Sequence, residues 1–320
     1  MGESTAGGAR LPVSDPFDAV PGLAPLRAAA WDGDWAATQA FFEKITSTAD
    51  VSFAAALLAG VDRAEWYLEK AAEARPDDPL PRTLLAERYL HLGWRARGHA
   101  PAKDVAWDQI ELFHDWLRKA ESLLIEVCAE EPSYAPAWTA RLATARGLGL
   151  GQSEARRRYD RLVEHHPRLF PAQSRLLQQL FPQWGGSWEA AHGFAQECAD
   201  AAPDGSHAGI LVAEAHVEHW SDLKNTEAAE AAAYLQNPTV RDELRAAARA
   251  SVLHPDHRRD WHWTRGHSTF ALAFSLGGHL ADAARHFTAL GDTADESFWR
   301  YLPDWKLRFT EFRTAASATL

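Results

Sequence analysis

Three prolines, Pro132, Pro167 and Pro203, stand 35 and 36 residues apart, and the same apolar pattern leads into each of them. Ala120, Leu124 and Val127 precede Pro132 by the distances at which Ala155, Tyr159 and Leu162 precede Pro167 and Ala191, Ala195 and Cys198 precede Pro203. Ala64, Leu68 and Ala71 stand the same way before Pro76. Steps of four and three residues put each trio on one face of a helix. Proline has no N–H to continue the ladder, so each one marks where a helix has ended and a new one starts. Glycine sits in or beside the turn that opens the patterned helix: Gly186 ahead of Ala191, Gly278 ahead of Ala283, Phe287 and Leu290, and Gly149 and Gly151 one place either side of the corresponding Leu150. The unit is a pair of antiparallel helices with a glycine turn. Such a pair cannot bury its apolar face alone and requires neighbours on both sides.

The rest of the chain agrees with this helical reading. Apolar residues make up 46% of the sequence, and alternating Val/Ile/Thr runs are absent. Ile110, Phe113, Leu117, Ala120, Leu124 and Val127 predict one long helix over residues 106–130. The period is broken twice: Pro76 to Pro132 is 56 residues and Pro203 to Pro255 is 52. Insertions at about 95–115 and 221–238 account for the excess. Residues 1–20 are rich in Gly, Pro and Ser and read as a disordered tail, which leaves 21–320 as a single helical-repeat domain.

The period and its small-residue positions resemble the tetratricopeptide repeat. Glu130 to Trp138, "EEPSYAPAW", is similar to its junction between repeats, and Phe270 to Phe287, "FALAFSLGGHLADAARHF", matches it best. The "AAWDGDWAA" opening, the "QWGGSWEA" segment and the irregular spacing together resemble an uncharacterised bacterial family of tetratricopeptide-like proteins. The resemblance implies an all-α, right-handed stack of about six helix pairs, an α-solenoid. It implies no activity and no catalytic residues.

Within "FPQWGGSWEAA", Gly185 and Gly186 fill the turn, Ser187 is the N-cap of the next helix and Trp188 takes the place of a tyrosine packed between helices. This is a structural joint. Trp184 follows Pro182 in the turn, has no packing position in the repeat and is an exposed candidate for binding.

Charge and cysteine content narrow the function. A net charge of −11 argues against nucleic acid and anionic membrane as partners. No apolar run is long enough to span a bilayer, and two cysteines, Cys128 and Cys198, suit a reducing cytoplasm. The run Arg156–Arg158 reads as a solvated helix face.

The fourteen tryptophans read mainly as core and capping residues. Histidine and tryptophan concentrate in residues 207–267, with Glu214, His216, His219 and Trp220 in one group and Trp261 and His262 in another. His216 and His219 share a helix face, but no further ligand completes a metal site, and His257 and His262 lie too far round a helix to converge. No metal or cofactor is expected, and no nucleophile motif exists. Alignment with the repeat puts His207, Glu214 and Arg265, with Ile210, Val217, Ser268 and Leu272, on the concave side. The expected function is a cytoplasmic scaffold or adaptor that binds a peptide or protein there. The alternative is an enzyme or small-molecule binder with a His/Trp-rich pocket in 207–267 and the 221–238 insertion as its lid. The oligomeric state stays open.

Overall fold

The computed structural model describes residues 10–98 and 104–319. The chain is all-α, with 73% helix and no strands among the described residues. In chain order the helices are α1 (Pro16–Ala19), α2 (Ala24–Asp32), α3 (Trp35–Phe42), α4 (Thr48–Ala59), α5 (Ala64–Ala74) and α6 (Pro79–Arg97). Then come α7 (Trp107–Glu130), α8 (Ala135–Gly147), α9 (Gln152–Val163), α10 (Phe170–Leu180), α11 (Trp188–Asp200) and α12 (Gly209–Thr226). The last six are α13 (Ala228–Tyr234), α14 (Pro238–Ala250), α15 (Trp263–Leu276), α16 (Leu280–Leu290), α17 (Glu296–Trp299) and α18 (Trp305–Ser317). Helices pack largely on their sequence neighbours, α6 on α7, α8 on α9 and α15 on α16.

The two breaks in the proline period have structural causes. The first arises because α6 runs for 19 residues and α7 for 24, so one pair is simply longer; residues 99–103 of the expected insertion lie outside the described residues. The second is the extension of α12 to Thr226 followed by the short α13. Where the sequence pattern reads as one continuous stack, the contacts divide the chain into two compact units, residues 21–191 and residues 1–20 with 192–320.

In the unit of residues 21–191, α8 is buried from Ala135 through Ala145, as is α6 from Pro81 through Leu90. A helix exposed along one side would not be. The cover is α4, which packs on α6, α8 and α10 and buries Ala54, Ala55, Leu58 and Ala59. Its alanines carry little side-chain bulk, so the backbones approach closely. Each leucine removed from water, such as Leu58 or Leu84, contributes about 2 kcal/mol. The run at 156–158 is not uniformly solvated. Arg156 and Arg157 face water with Asp160 and Glu154, but Arg158 is buried, donates to Glu121 Oε1 at 2.9 Å and to the Arg141 carbonyl at 2.6 Å, and joins α7, α8 and α9.

The other unit joins residues 10–20 to residues 192–319. The expected tail does not extend to residue 20: from Arg10 onward the segment is tied down, and residues 1–9 lie outside the described residues. Val13 N–H donates to the Asp292 carbonyl at 2.8 Å, Ala294 N–H donates to the Val13 carbonyl at 2.9 Å, and Arg313 Nη2 donates to the Arg10 carbonyl at 2.8 Å. Phe17 in α1 is buried.

Tryptophan is not the main core residue. Among the fourteen, only Trp138, Trp220 and Trp299 are buried, while Trp31, Trp66 and Trp107 are largely exposed. Alanine, leucine and phenylalanine fill the interior instead.

Candidate functional site

The residues expected to line an open groove in the second unit are covered. Ile210, Glu214, Val217, Ser268 and Leu272 are all at most 1% exposed. The segment 294–301 packs on part of this surface. Asp295 N–H donates to Ser268 Oγ at 2.8 Å, Trp299 Nε1 donates to the Ser268 carbonyl at 3.0 Å, and Tyr301 Oη donates to Glu218 Oε1 at 2.9 Å. Glu214 and Arg265 are each other's partners, with Arg265 Nε donating at 2.7 Å and its guanidinium also standing over Phe298. The expectation that these two side chains read a partner from an exposed face is therefore corrected. A chain-internal segment supplies part of the cover that a peptide was expected to supply.

The histidines form two separate networks. In the first, His216 leaves α12 and is buried between Tyr234 of α13 and Glu243 of α14; its Nδ1 lies 2.8 Å from the Tyr234 hydroxyl and its Nε2 lies 3.0 Å from Glu243 Oε2. His192 of α11 adds a ring nitrogen 3.1 Å from His219 Nδ1 and 3.3 Å from the same hydroxyl. Burial, with His216 and His219 alongside, lowers the His192 pKa to about 3. Burial likewise lowers His219 and raises Tyr234, while the bond from His216 holds Glu243 below its ordinary range. The 221–238 segment thus packs on this cluster, and Trp220 is buried with Lys224 over its ring.

The second network runs through a turn-rich stretch rather than a helix. His257 and His262 do converge, on the ring of His207, with centroids 5.1 and 5.7 Å away. His207 Nε2 lies 3.0 Å from Asp260 Oδ1, and the His262 backbone N–H caps the same oxygen at 2.8 Å. Farther in, His267 Nδ1 is 3.0 Å from His286 Nδ1, and the His286 ring stacks on Phe270 and Phe274. Burial lowers His262 to about 3 and His267 to about 4, and it holds His286 well below its ordinary value. Trp261 is half-buried in this stretch. Sequence reasoning missed His192, Tyr234, Glu243 and His286, because each comes from a different helix and no local spacing announces them.

The "QWGGSW" segment is built as follows in the first unit. Gly185 has φ +84°, which L side chains rarely adopt. Gly186 does not share that conformation; a Cβ there would collide with the Leu180 carbonyl. Ser187 Oγ accepts from Ala190 N–H at 3.1 Å, and the Trp188 ring tilts on Phe181 at 5.4 Å. Trp184 is not exposed as expected. Its carbonyl accepts from Gln152 and Gln179, its indole meets Trp94 edge-to-face at 5.9 Å, and the Arg146 guanidinium stands 5.1 Å from the Trp94 ring and 5.4 Å from that of Trp184.

One surface feature of the first unit has no counterpart in the sequence reading. Trp31, at the end of α2, is 76% exposed, and Trp66, in the first turn of α5, is 60% exposed. Both line a single cleft of about 580 Å³ with Asp32, Asp62, Tyr67 and Lys70. Arg63, which precedes α5, holds φ +65°, an uncommon value for a non-glycine residue, and its guanidinium lies 5.3 Å from the Trp66 ring.

No family model, no curated protein and no solved structure matches this chain.

Proposed function

We propose that the chain is a non-catalytic helical-repeat protein that binds a partner protein or peptide at the Trp31–Trp66 cleft. A tetratricopeptide-like architecture is supported by the recurring small-residue positions and by the pairing of α6 with α7, α8 with α9 and α15 with α16. The observation that carries the reading is the exposure of two tryptophans in one cleft. Tryptophan is favoured at the centre of interfaces, where its burial outweighs the cost of ordering. That α4 packs over α6 and α8 in one unit and 294–301 bonds to Ser268 of α15 in the other supports a docking site elsewhere than on those helices. No helix of the described residues is long and apolar enough to cross a membrane, and two buried, unlinked cysteines suit a reducing cytoplasm. Affinity capture by the wild-type chain and by a Trp31→Ala, Trp66→Ala variant tests the reading. Partners retained in full by the double variant, at unchanged melting temperature, would remove the cleft from the interface.

A second reading rests on the His207–Asp260 contact, an imidazole oriented by a carboxylate, as general bases are. It makes the second unit a small-molecule site. Saturable binding of a metabolite by the wild-type chain that is lost in Asp260→Asn would favour it.

A further inference from the structure

From the chemistry of this cleft, and resting on its reading as a docking site, we infer that it takes an arginine side chain carried by the partner. The chain's own tryptophans hold both kinds of cation: Arg146 stands beside Trp94 and Trp184, Arg75 over Trp35, Arg141 over Trp138 and Arg259 over Trp263, while Lys119 stands over Trp116, Lys224 over Trp220 and Lys306 over Trp305. A planar, weakly hydrated guanidinium suits an indole face better than an ammonium does, because less water must be stripped from it. At the cleft, the chain's own arginines already engage Trp66 and Asp62. Arg63 stands over Trp66, and Arg95 Nη1 donates to Asp62 at 2.9 Å across a pair that is mostly exposed on both sides. Trp31 and Asp32 also line the cleft and supply the same two elements, an indole face and a carboxylate that can accept two parallel N–H bonds.

The openness of the cleft decides between a free solute and a peptide. With Trp31 76% exposed, a small molecule would remain largely hydrated there, whereas tight small-molecule sites bury most of their ligand. A peptide brings contacts beyond the cleft. Arg63 and Lys70 balance Asp32 and Asp62, so the cleft does not simply attract positive charge. It fits an arginine followed by an acidic residue, the acid meeting Lys70.

The test is calorimetric titration of the full chain with a blocked Gly-Arg-Glu-Gly peptide and with versions carrying lysine or citrulline at the arginine position. Citrulline keeps the shape and removes the charge. The arginine peptide should bind saturably, and the citrulline peptide about tenfold or more weakly, the ratio expected for losing one cation–π contact with its ion pair. Trp31→Ala and Asp32→Asn should each weaken the arginine peptide at unchanged melting temperature, and Arg63→Gly should strengthen it by removing the internal competitor. Equal binding of citrulline, no saturable binding of the arginine peptide, or an unaltered titration in Trp31→Ala would each overturn the inference. If capture depends on Trp31 and Trp66 while citrulline binds like arginine, the docking site stands and the arginine fails. If arginine is selected but capture is unchanged in the double tryptophan variant, the arginine stands and the docking reading fails.

Discussion

Arg265 Nε donates to the fully buried carboxylate of Glu214 at 2.7 Å, an ion pair that ties α12 to α15 beneath the 294–301 segment. Removing Arg265 leaves the Glu214 carboxylate charged in a dry site, whereas removing Glu214 leaves a guanidinium that is 27% exposed and close to Asp295. Arg265→Met should destabilise the second unit by about 3–5 kcal/mol, Glu214→Leu by less, and the double substitution by less than the sum. Denaturant unfolding of the four proteins gives the coupling. Single effects that add to within about 0.5 kcal/mol in the double variant would show that the pair does not act as a unit.

Stability of the second unit should fall as pH drops below about 6.5. His192 and His262 have folded pKa values of about 3 and His267 of about 4, and His286 lies well below its ordinary value, each chiefly through burial. Because these folded values are depressed, the unfolded chain binds protons first. The stabilisation is complete above the unfolded value near 6.5 and is lost progressively as pH falls toward the folded values. Each such histidine contributes a slope of about 1.4 kcal/mol per pH unit once its unfolded form is charged. Asp260 and Glu243, held low by their histidine partners, add losses only in the carboxylate range. Hydrogen exchange at pH 7.5 and 5.5 reads the effect, and His286→Leu should lower the slope. Equal protection of α12 and α15 at both pH values would contradict it.

Gly186→Val should destabilise the first unit by roughly 2–4 kcal/mol, because the new Cβ meets the Leu180 carbonyl, which is backbone and cannot rotate away. Gly185→Ala should cost about 1–2 kcal/mol through its positive φ alone. Thermal melts separate the two. A Gly186→Val protein that melts within a degree or so of wild type would place the joint elsewhere.

Zinc should not bind stoichiometrically to the histidines of the first network. Their ring nitrogens are directed at one another, at Tyr234 and at Glu243, and His192, His216 and His219 do not bring three ligand atoms within 4.8 Å of one another. Elemental analysis after purification without added metal checks this. About one zinc per chain, lost in His216→Ala, would reverse the assignment.

Helix formation was legible wherever apolar residues repeated at three- and four-residue steps; α7, Trp107–Glu130, falls on its expected span of 106–130. Packing between distant helices was not. That α4 covers α6, α8 and α10 depends on Ala54, Ala55 and Leu58 fitting a surface formed by residues far along the chain, and its own composition does not say which surface. The same holds for Ser268, which reads as a polar groove residue until Asp295 and Trp299 are seen to bond it. His257 and His262 were separated on helical geometry, and the turn at 254–262 removed that geometry. Trp31 and Trp66 illustrate the opposite failure: Trp66 lies off the buried Ala64–Leu68–Ala71 stripe of α5, but a tryptophan's identity had suggested core packing wherever it stood.

The unit that holds the histidine networks is assembled from residues near both ends of the chain, with Arg10 and Val13 bonded to Asp292, Ala294 and Arg313. During synthesis residues 10–13 are made long before residues 292–313 and must wait until those partners leave the ribosome. The contiguous unit of residues 21–191 faces no such delay and is free to form while translation continues. Pausing or truncation late in the message would therefore yield one finished unit carrying an unpaired N-terminal strip, rather than a uniformly unfolded chain.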